Sequence, residues 1–498
     1  MSQMTGAVAP HLKHPELYIG GQWEQAAGGK RFDTENPYTG KTWARIADAA
    51  PSDVDRAVNA ARAALDGPWG SMPGSQRARL MIRLAELIER DLEAIAAVET
   101  ADNGKLIKDS RWQVTLIAEW FRYFAGLADK IEGRVVQDAN PAMFVYTRRE
   151  PIGVVAAILP WNAPLLLLTF KLAPALAAGC AFVAKPSEFT PASALALAER
   201  FHEAGFPPGV FNVLPSSSRE TSAALVKHPG VDKVAFTGST ATGIAVAQSA
   251  VSHLARITLE LGGKSPQLVF EDADVDAAVN GVLAGIFGGT GQVCHAGSRA
   301  FVQRSIYQAV LDGVVARAKT IKMGDPALVE TEMGPIATAP QFAKVQEILG
   351  QAVQEGATVA CGGGADDGLG GYFIRPTVLT DVKAEDAVMR GEVFGPVVCM
   401  VPFDTEEEGI AMANDTPYGL ASGLWSRDVQ RVHRVAKRLK AGTVWVNTYR
   451  RFAPNVPFGG MKASGIGREN GIDAVLEYTE QKAVWIELTP QSRDPFRV

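Results

Sequence analysis

The chain has 498 residues, 47% hydrophobic and 21% charged, a balance that suits a folded polypeptide with two or three domains and a large core. Its formal net charge of −5 offers no basic footprint for nucleic acid. Cys180, Cys294, Cys361 and Cys399 lie scattered without paired spacing, which argues against a disulfide framework or a metal site and for a reducing, cytoplasmic setting.

The first 13 residues carry no apolar segment, so no secretory signal is expected. After a small β start, Ser52 is placed to cap a helix whose apolar residues Val54, Ala57, Val58, Ala61 and Leu65 recur at helical spacing. A longer helix is predicted over 75–102, with Asn103-Gly104 as its stop. Residues 152–170 are uncharged, but Pro160 and Pro164 would break a spanning helix. A buried strand, a turn and a buried helix are expected there, and no membrane span.

From Gly153 strand and helix alternate. Strands are predicted at Val154–Ile158, Ala181–Lys185, 210–214 and 233–236, with helices at Pro164–Ala178, Ala192–Ala204 and 220–227. This rhythm implies a parallel sheet covered by helices on both faces, an architecture that binds nucleotides at the carboxyl ends of its strands. Beyond Gly262 the pattern restarts, with helices at 273–287, 306–319 and 341–355 and strands at 300–302, 397–401 and Thr443–Val446. That is a second α/β domain. The β-favouring segments 133–149 and 483–488 fit neither domain and read as separated strands that close on each other or on a second subunit.

Three residues stand out chemically. Cys294 ends the run Gly288-Gly289-Thr290-Gly291-Gln292-Val293-Cys294, Glu260 lies in Leu259-Glu260-Leu261-Gly262-Gly263-Lys264, and Asn162 follows Pro160-Trp161. A thiol nucleophile, a carboxylate to handle water and an amide to hold an oxyanion suggest acyl chemistry through a thioester. A hydride-accepting cofactor would make this aldehyde oxidation.

Signals for such a cofactor exist. Thr237-Gly238-Ser239 joins a strand to a helix and can present backbone N–H groups to phosphate, though an ordinary βα turn reads the same way. In Lys185-Pro186-Ser187-Glu188, Lys185 suits ribose hydroxyls. Glu188 suits the adenosine ribose and would repel a 2′-phosphate, favouring NAD over NADP; a solvated strand end is the competing reading. Glu392, in Gly391-Glu392-Val393-Phe394-Gly395-Pro396, is a carboxylate in an apolar segment that ribose hydroxyls would satisfy.

These motifs, followed by Pro457-Phe458-Gly459-Gly460, stand in the order found in the aldehyde dehydrogenase superfamily, which the chain resembles over residues 18–485. The resemblance implies an α/β fold with a Rossmann-like parallel-sheet cofactor domain (1–128 and 152–262), a second α/β catalytic domain (263–463) and a small β oligomerisation arm (129–151 and 479–498). It makes Cys294 the nucleophile, Glu260 the general base and Asn162 the oxyanion donor. It brings NAD or NADP against Ile158, Pro160, Trp161, Lys185, Ser187 and Glu188, and against Gly238, Ser239, Glu392 and Phe394. The substrate tunnel it implies is lined by Ala163, Leu167 and Phe170, by Val293 and His295 beside the thiol, and by Phe452 and Phe458. It also implies a homodimer or homotetramer.

Relatives that pass the acyl group to coenzyme A generally lack a carboxylate at the position of Glu260, so hydrolysis is expected here. Gly289 stands where Asn is common and His295 where a small or aliphatic residue is usual, which bears on the pocket wall and the substrate. A Cys294–His295 pair is disfavoured, because neighbouring side chains point apart. Arg450 and Arg451 precede Phe452 and allow an alternative, a semialdehyde whose carboxylate they bind. A cofactor-independent thiol esterase is the alternative from another class, and it leaves Lys185, Glu188, Ser239 and Glu392 unexplained.

Overall fold

The computed structural model describes residues 9–489, 494 and 496. The first eight residues assigned to the cofactor domain, and the arm's residues 490–493, 495, 497 and 498, lie outside the described residues.

Val154–Ile158 is a central strand of an eight-stranded sheet. Val154, Val155, Ala156 and Ala157 are fully buried, as a strand covered on both faces requires. Parallel to it run Ala181–Lys185 and then Phe211–Val213 on one side, and Lys233–Thr237 and then Arg256–Glu260 on the other. Strand order therefore reverses between Val154–Ile158 and Lys233–Thr237, and a crevice opens at their carboxyl ends. The hairpin Leu17–Ile19 and Gln22–Glu24 closes one edge, and Gly465–Ile466 closes the other, antiparallel to Arg256–Glu260.

A seven-stranded sheet follows, in the order Thr358–Cys361, Thr377–Thr380, Val397–Phe403, Arg299–Gln303, Pro266–Val269, Ala421–Trp425 and Thr443–Val446. Only its first pair is antiparallel. The two leftover β segments do close on each other: Thr479–Glu487 pairs with Met143–Pro151 along its whole length, and Val135–Val136 adds a third strand. The fold is thus α/β, with a Rossmann-like sheet, a second parallel sheet and a small β arm.

Pro164 occupies the first position of the helix Pro164–Ala178 and Gly179, at φ 95°, ends it, the asymmetry that bounds helices cleanly. Every residue of this helix is buried, including its only charge, Lys171.

Some expectations change. Ala50, not Ser52, stands at the cap of Pro51–Asp66, because the Asp53 carboxylate reaches back to the Ala50 N–H at 2.8 Å. The helix expected over 75–102 is two helices, Gly74–Arg90 and Leu92–Asn103. Asp91 breaks it, with Arg90 and Arg200 holding its carboxylate at 2.8 and 2.9 Å; Gly104, at φ 77°, provides the expected stop. Residues 464–478, given to no domain, return to the first sheet through Gly465–Ile466, and Ala474, Val475 and Tyr478 enter its core. Among the described residues no helix is long and apolar enough to cross a membrane.

Candidate active site

Close backbone approaches bring the distant motifs together. The turn Gly288–Gly291 before Cys294 holds Gly289, Thr290 and Gly291 in left-handed backbone at φ 64°, 57° and 69°. A Cβ on Gly291 would lie 2.1 Å from the Gly395 carbonyl oxygen, and one on Gly263 2.4 Å from that of Cys294. Glycine alone allows the thiol-bearing turn to touch both the segment after Glu260 and the segment after Glu392.

Glu260 ends the strand Arg256–Glu260, and Asn162 lies in the turn that starts the helix Pro164–Ala178. The Asn162 Nδ2 donates to the Gln292 carbonyl at 2.9 Å. Gln292 is fixed in turn: its Oε1 accepts from the Ala337 N–H at 2.8 Å and its Nε2 donates to the Pro335 carbonyl at 3.3 Å.

The thiol of Cys294 is pushed up to about 12, first by burial and then by the Glu392 and Glu260 carboxylates; the His295 and Cys294 N–H groups act the other way. The protein's own charges therefore do not lower it. Glu260 is 5% exposed and neither of its carboxylate oxygens has a hydrogen-bond partner. Burial, and next the charge of Glu469, raise its carboxyl well above the usual range, while Lys171 and Arg468 oppose them. Lys171 and Glu469 form a buried ion pair, and Glu469 exchanges backbone hydrogen bonds with Phe458 at 2.6 and 2.7 Å. Neither residue was singled out from the sequence. A lone lysine in an apolar helix was the signal, since a buried ammonium needs a partner.

A cavity of about 350 Å³ opens in front of Cys294 and Asn162. Ala163, Leu167, Phe170, Val293, His295, Phe452 and Phe458 all line it. Glu260 is not on this wall; it lies behind Gly459, where an added Cβ would come 2.9 Å from its Oε1. Phe170 stacks on Trp120 with ring centres 5.3 Å apart, and Phe452 meets Trp112 edge-on at 5.7 Å. Asp109, Trp112 and Gln113 reach the cavity from the helix Ile107–Ala125, which sequence reasoning did not implicate.

The His295 imidazole packs against Trp445 and Phe458 at 5.4 and 6.0 Å, and burial, with Arg450 second, lowers it to about 3. It is a neutral ring, and it makes no hydrogen bond to the thiol. Arg450 lines the cavity. Arg451 does not: its side chain is exposed, and its carbonyl accepts from Trp445 Nε1 at 2.7 Å. The pair of arginines is reduced to one.

At the crevice, Ser239 caps the helix Thr240–Ala250, its Oγ accepting from the Thr242 N–H at 3.2 Å, and the Gly238 N–H donates to the Glu260 carbonyl at 3.1 Å. Ile158 and Pro160 stand where the central strand leaves the sheet, and Trp161 meets Phe394 edge-on at 5.2 Å. Lys185 is buried at its strand end, its ammonium 3.5 Å from the half-exposed Glu188, with Ser187 buried between them in sequence. Glu392 accepts from the Gly263 N–H at 3.0 Å. A buried ammonium beside a carboxylate suits vicinal ribose hydroxyls, which both accept and donate, and a capped helix N-terminus suits phosphate. These residues fit a dinucleotide. No cluster able to hold a metal ion occurs among the described residues.

The chain belongs to the aldehyde dehydrogenase family, whose model matches residues 23–484. It is 45% identical to the (Z)-2-((N-methylformamido)methylene)-5-hydroxybutyrolactone dehydrogenase of Acinetobacter baylyi, over 97% of this chain and 99% of that protein. The NAD+ complex of an aldehyde dehydrogenase from Bacillus cereus is similar at a TM-score of 0.94 and 45% identity, over 95% of this chain and 96% of that one. Betaine aldehyde dehydrogenase from Staphylococcus aureus in complex with NAD+ is similar at 0.96 and 39% identity, over 98% and 97%. The protein is an NAD(P)-dependent oxidoreductase that converts an aldehyde to the carboxylic acid.

Proposed function

We propose that Cys294 attacks the aldehyde carbon, that the Asn162 amide and the Cys294 N–H hold the resulting oxyanion, and that Glu260 activates the water that releases the acid. The observation that carries this reading is the meeting of Cys294 and Asn162 on one largely apolar cavity, with Glu260 close enough to oppose ionisation of the thiol. Loss of one oxyanion donor costs about 10²–10³ in rate. When bound, NAD(P)+ supplies the hydride acceptor. Lys185, Ser187 and Glu188, with Gly238, Ser239 and Glu392, hold it, and the carboxylate of Glu188 favours NAD. Trp161 and Phe394, with Ile158 and Pro160, would add apolar contacts to it.

Burial and the two carboxylates raise the thiol, so attack requires that its proton pass to solvent as the sulfur–carbon bond forms. Glu260 then takes a proton from water, which hydrolyses the thioester on Cys294. In Glu260→Gln a first-turnover burst of NADH should persist while the steady-state rate falls. A vanished burst would mean that Glu260 acts on the thiol instead.

The apolar lining supports aliphatic or aromatic aldehydes as substrates. In domain terms, the cofactor unit comprises 9–128, 152–262 and the returning 464–478, the catalytic unit 263–463, and the arm 129–151 and 479–489. Exposed Val135, Phe144, Trp485 and Ile486 on the arm support a homodimer or homotetramer, and the four free cysteines support a reducing, cytoplasmic setting.

A further inference from the structure

Lys105, Asp109, Glu332 and Arg450 interrupt the apolar wall of the cavity, and two of them, Lys105 and Glu332, are already engaged. Lys105 donates to Glu99 at 2.8 Å and to Gln113 at 2.7 Å. Glu332 is held by Arg317 at 2.6 Å and by the Lys322 N–H at 2.9 Å. Arg450 differs. Its Nη1 donates to the Ala284 carbonyl at 3.3 Å, and among the described residues no carboxylate lies within 4.0 Å of its guanidinium.

Local structure commits Arg450 to this placement. Its backbone is left-handed at φ 59°, a conformation that residues with a side chain seldom adopt. The neighbouring turn leaves the room: a Cβ on Gly288 would lie 1.8 Å from Nη1, and one on Gly289 3.6 Å from Nη2. A side chain at position 288 would displace the guanidinium. Asp109, also on the cavity, is half-exposed; its charge favours that of Arg450 from a distance without occupying its donors.

A partly desolvated guanidinium with one carbonyl partner is an unsatisfied binding group. Its planar fork of donors matches a carboxylate better than any neutral group. We propose that Arg450 determines specificity for aldehydes that carry a carboxylate at the end remote from the carbonyl. The inference rests on the role given to Cys294 in the same cavity: the thiol takes the carbonyl while Arg450 takes the far end.

The test compares 4-oxobutanoate with 4-methylpentanal, which has the same skeleton with an isopropyl group in place of the carboxylate, using the full-length enzyme and NAD+. Wild type should favour 4-oxobutanoate in kcat/KM. Arg450→Met should lower that preference by about ten- to a hundredfold, mainly through KM, and Arg450→Lys should restore part of it. A wild type that prefers 4-methylpentanal, an unchanged ratio in Arg450→Met, or equal loss on both aldehydes overturns the inference alone. Independently of any variant, butyrate should inhibit oxidation of 4-methylpentanal competitively and about tenfold better than butyramide. Equal inhibition also overturns it. If wild type oxidises neither aldehyde, the reading of the cavity as the substrate site fails, and the inference with it.

Discussion

Glu260 does not stand alone. It is buried without hydrogen-bond partners, and the nearby charge of Glu469 adds to burial in raising its carboxyl above the ordinary carboxylate range. A general base works only when ionised, so thioester hydrolysis should rise with pH through a value above the ordinary carboxylate range. Removing the like charge lowers that value. Glu469→Gln is therefore expected to move the rising limb of the single-turnover hydrolysis profile to lower pH, and a move to higher pH contradicts the assignment. The same change leaves Lys171 unpaired in the core and should lower stability by about 3–5 kcal/mol, measured by denaturant unfolding. At this scale the groups proposed to react stood out because each lies in a motif: Cys294 after its glycine turn, Glu260 before Gly262-Gly263, Asn162 after Pro160-Trp161. Lys171, Glu469 and the separate fates of Arg450 and Arg451 were not. Their meaning lies in partners across the fold, which no local spacing encodes.

Elements followed their local chemistry where caps and periodicity agreed. Pro164 and Gly179 bound one helix, and the strands from Val154 to Lys233 are continuous apolar runs of the kind a doubly covered sheet demands. The break at Asp91 was hidden, because an arginine from the distant helix Ala192–Ala204 helps to hold it. The helix Ile107–Ala125 was likewise silent, since its contribution of Asp109 and Trp112 to the cavity depends on how it packs. The arm was legible as β and as unpaired with either sheet. Its exposed Val135 and Trp485, 72% and 61% accessible, are the surface proposed to meet a second copy. Light scattering at micromolar concentration should report a dimer or tetramer, and Val135→Asp with Trp485→Asp should shift it toward smaller species. A wild-type monomer contradicts the arm's proposed role.

At the scale of the whole molecule, loops of both sheets meet on one cavity, Asn162 and Ala163 from the first and Cys294, His295 and Arg450 from the second. The first offers a crevice with Lys185, Glu188 and the Ser239-capped helix; the second follows the segment that carries Gly262 and Gly263, against which the Cys294 carbonyl packs. That there are two such sheets was readable from the restart of the βα rhythm after Gly262. The contact between them was not, because it depends on glycines whose absent side chains matter only in three dimensions.

The central claim is that one sulfur atom holds the substrate carbon while the acid is made. Cys294→Ala, assayed with NAD+ and 4-methylpentanal by NADH formation, should retain wild-type stability and lose at least about 10³-fold in rate. Oxidation at the wild-type rate in that variant would contradict the account.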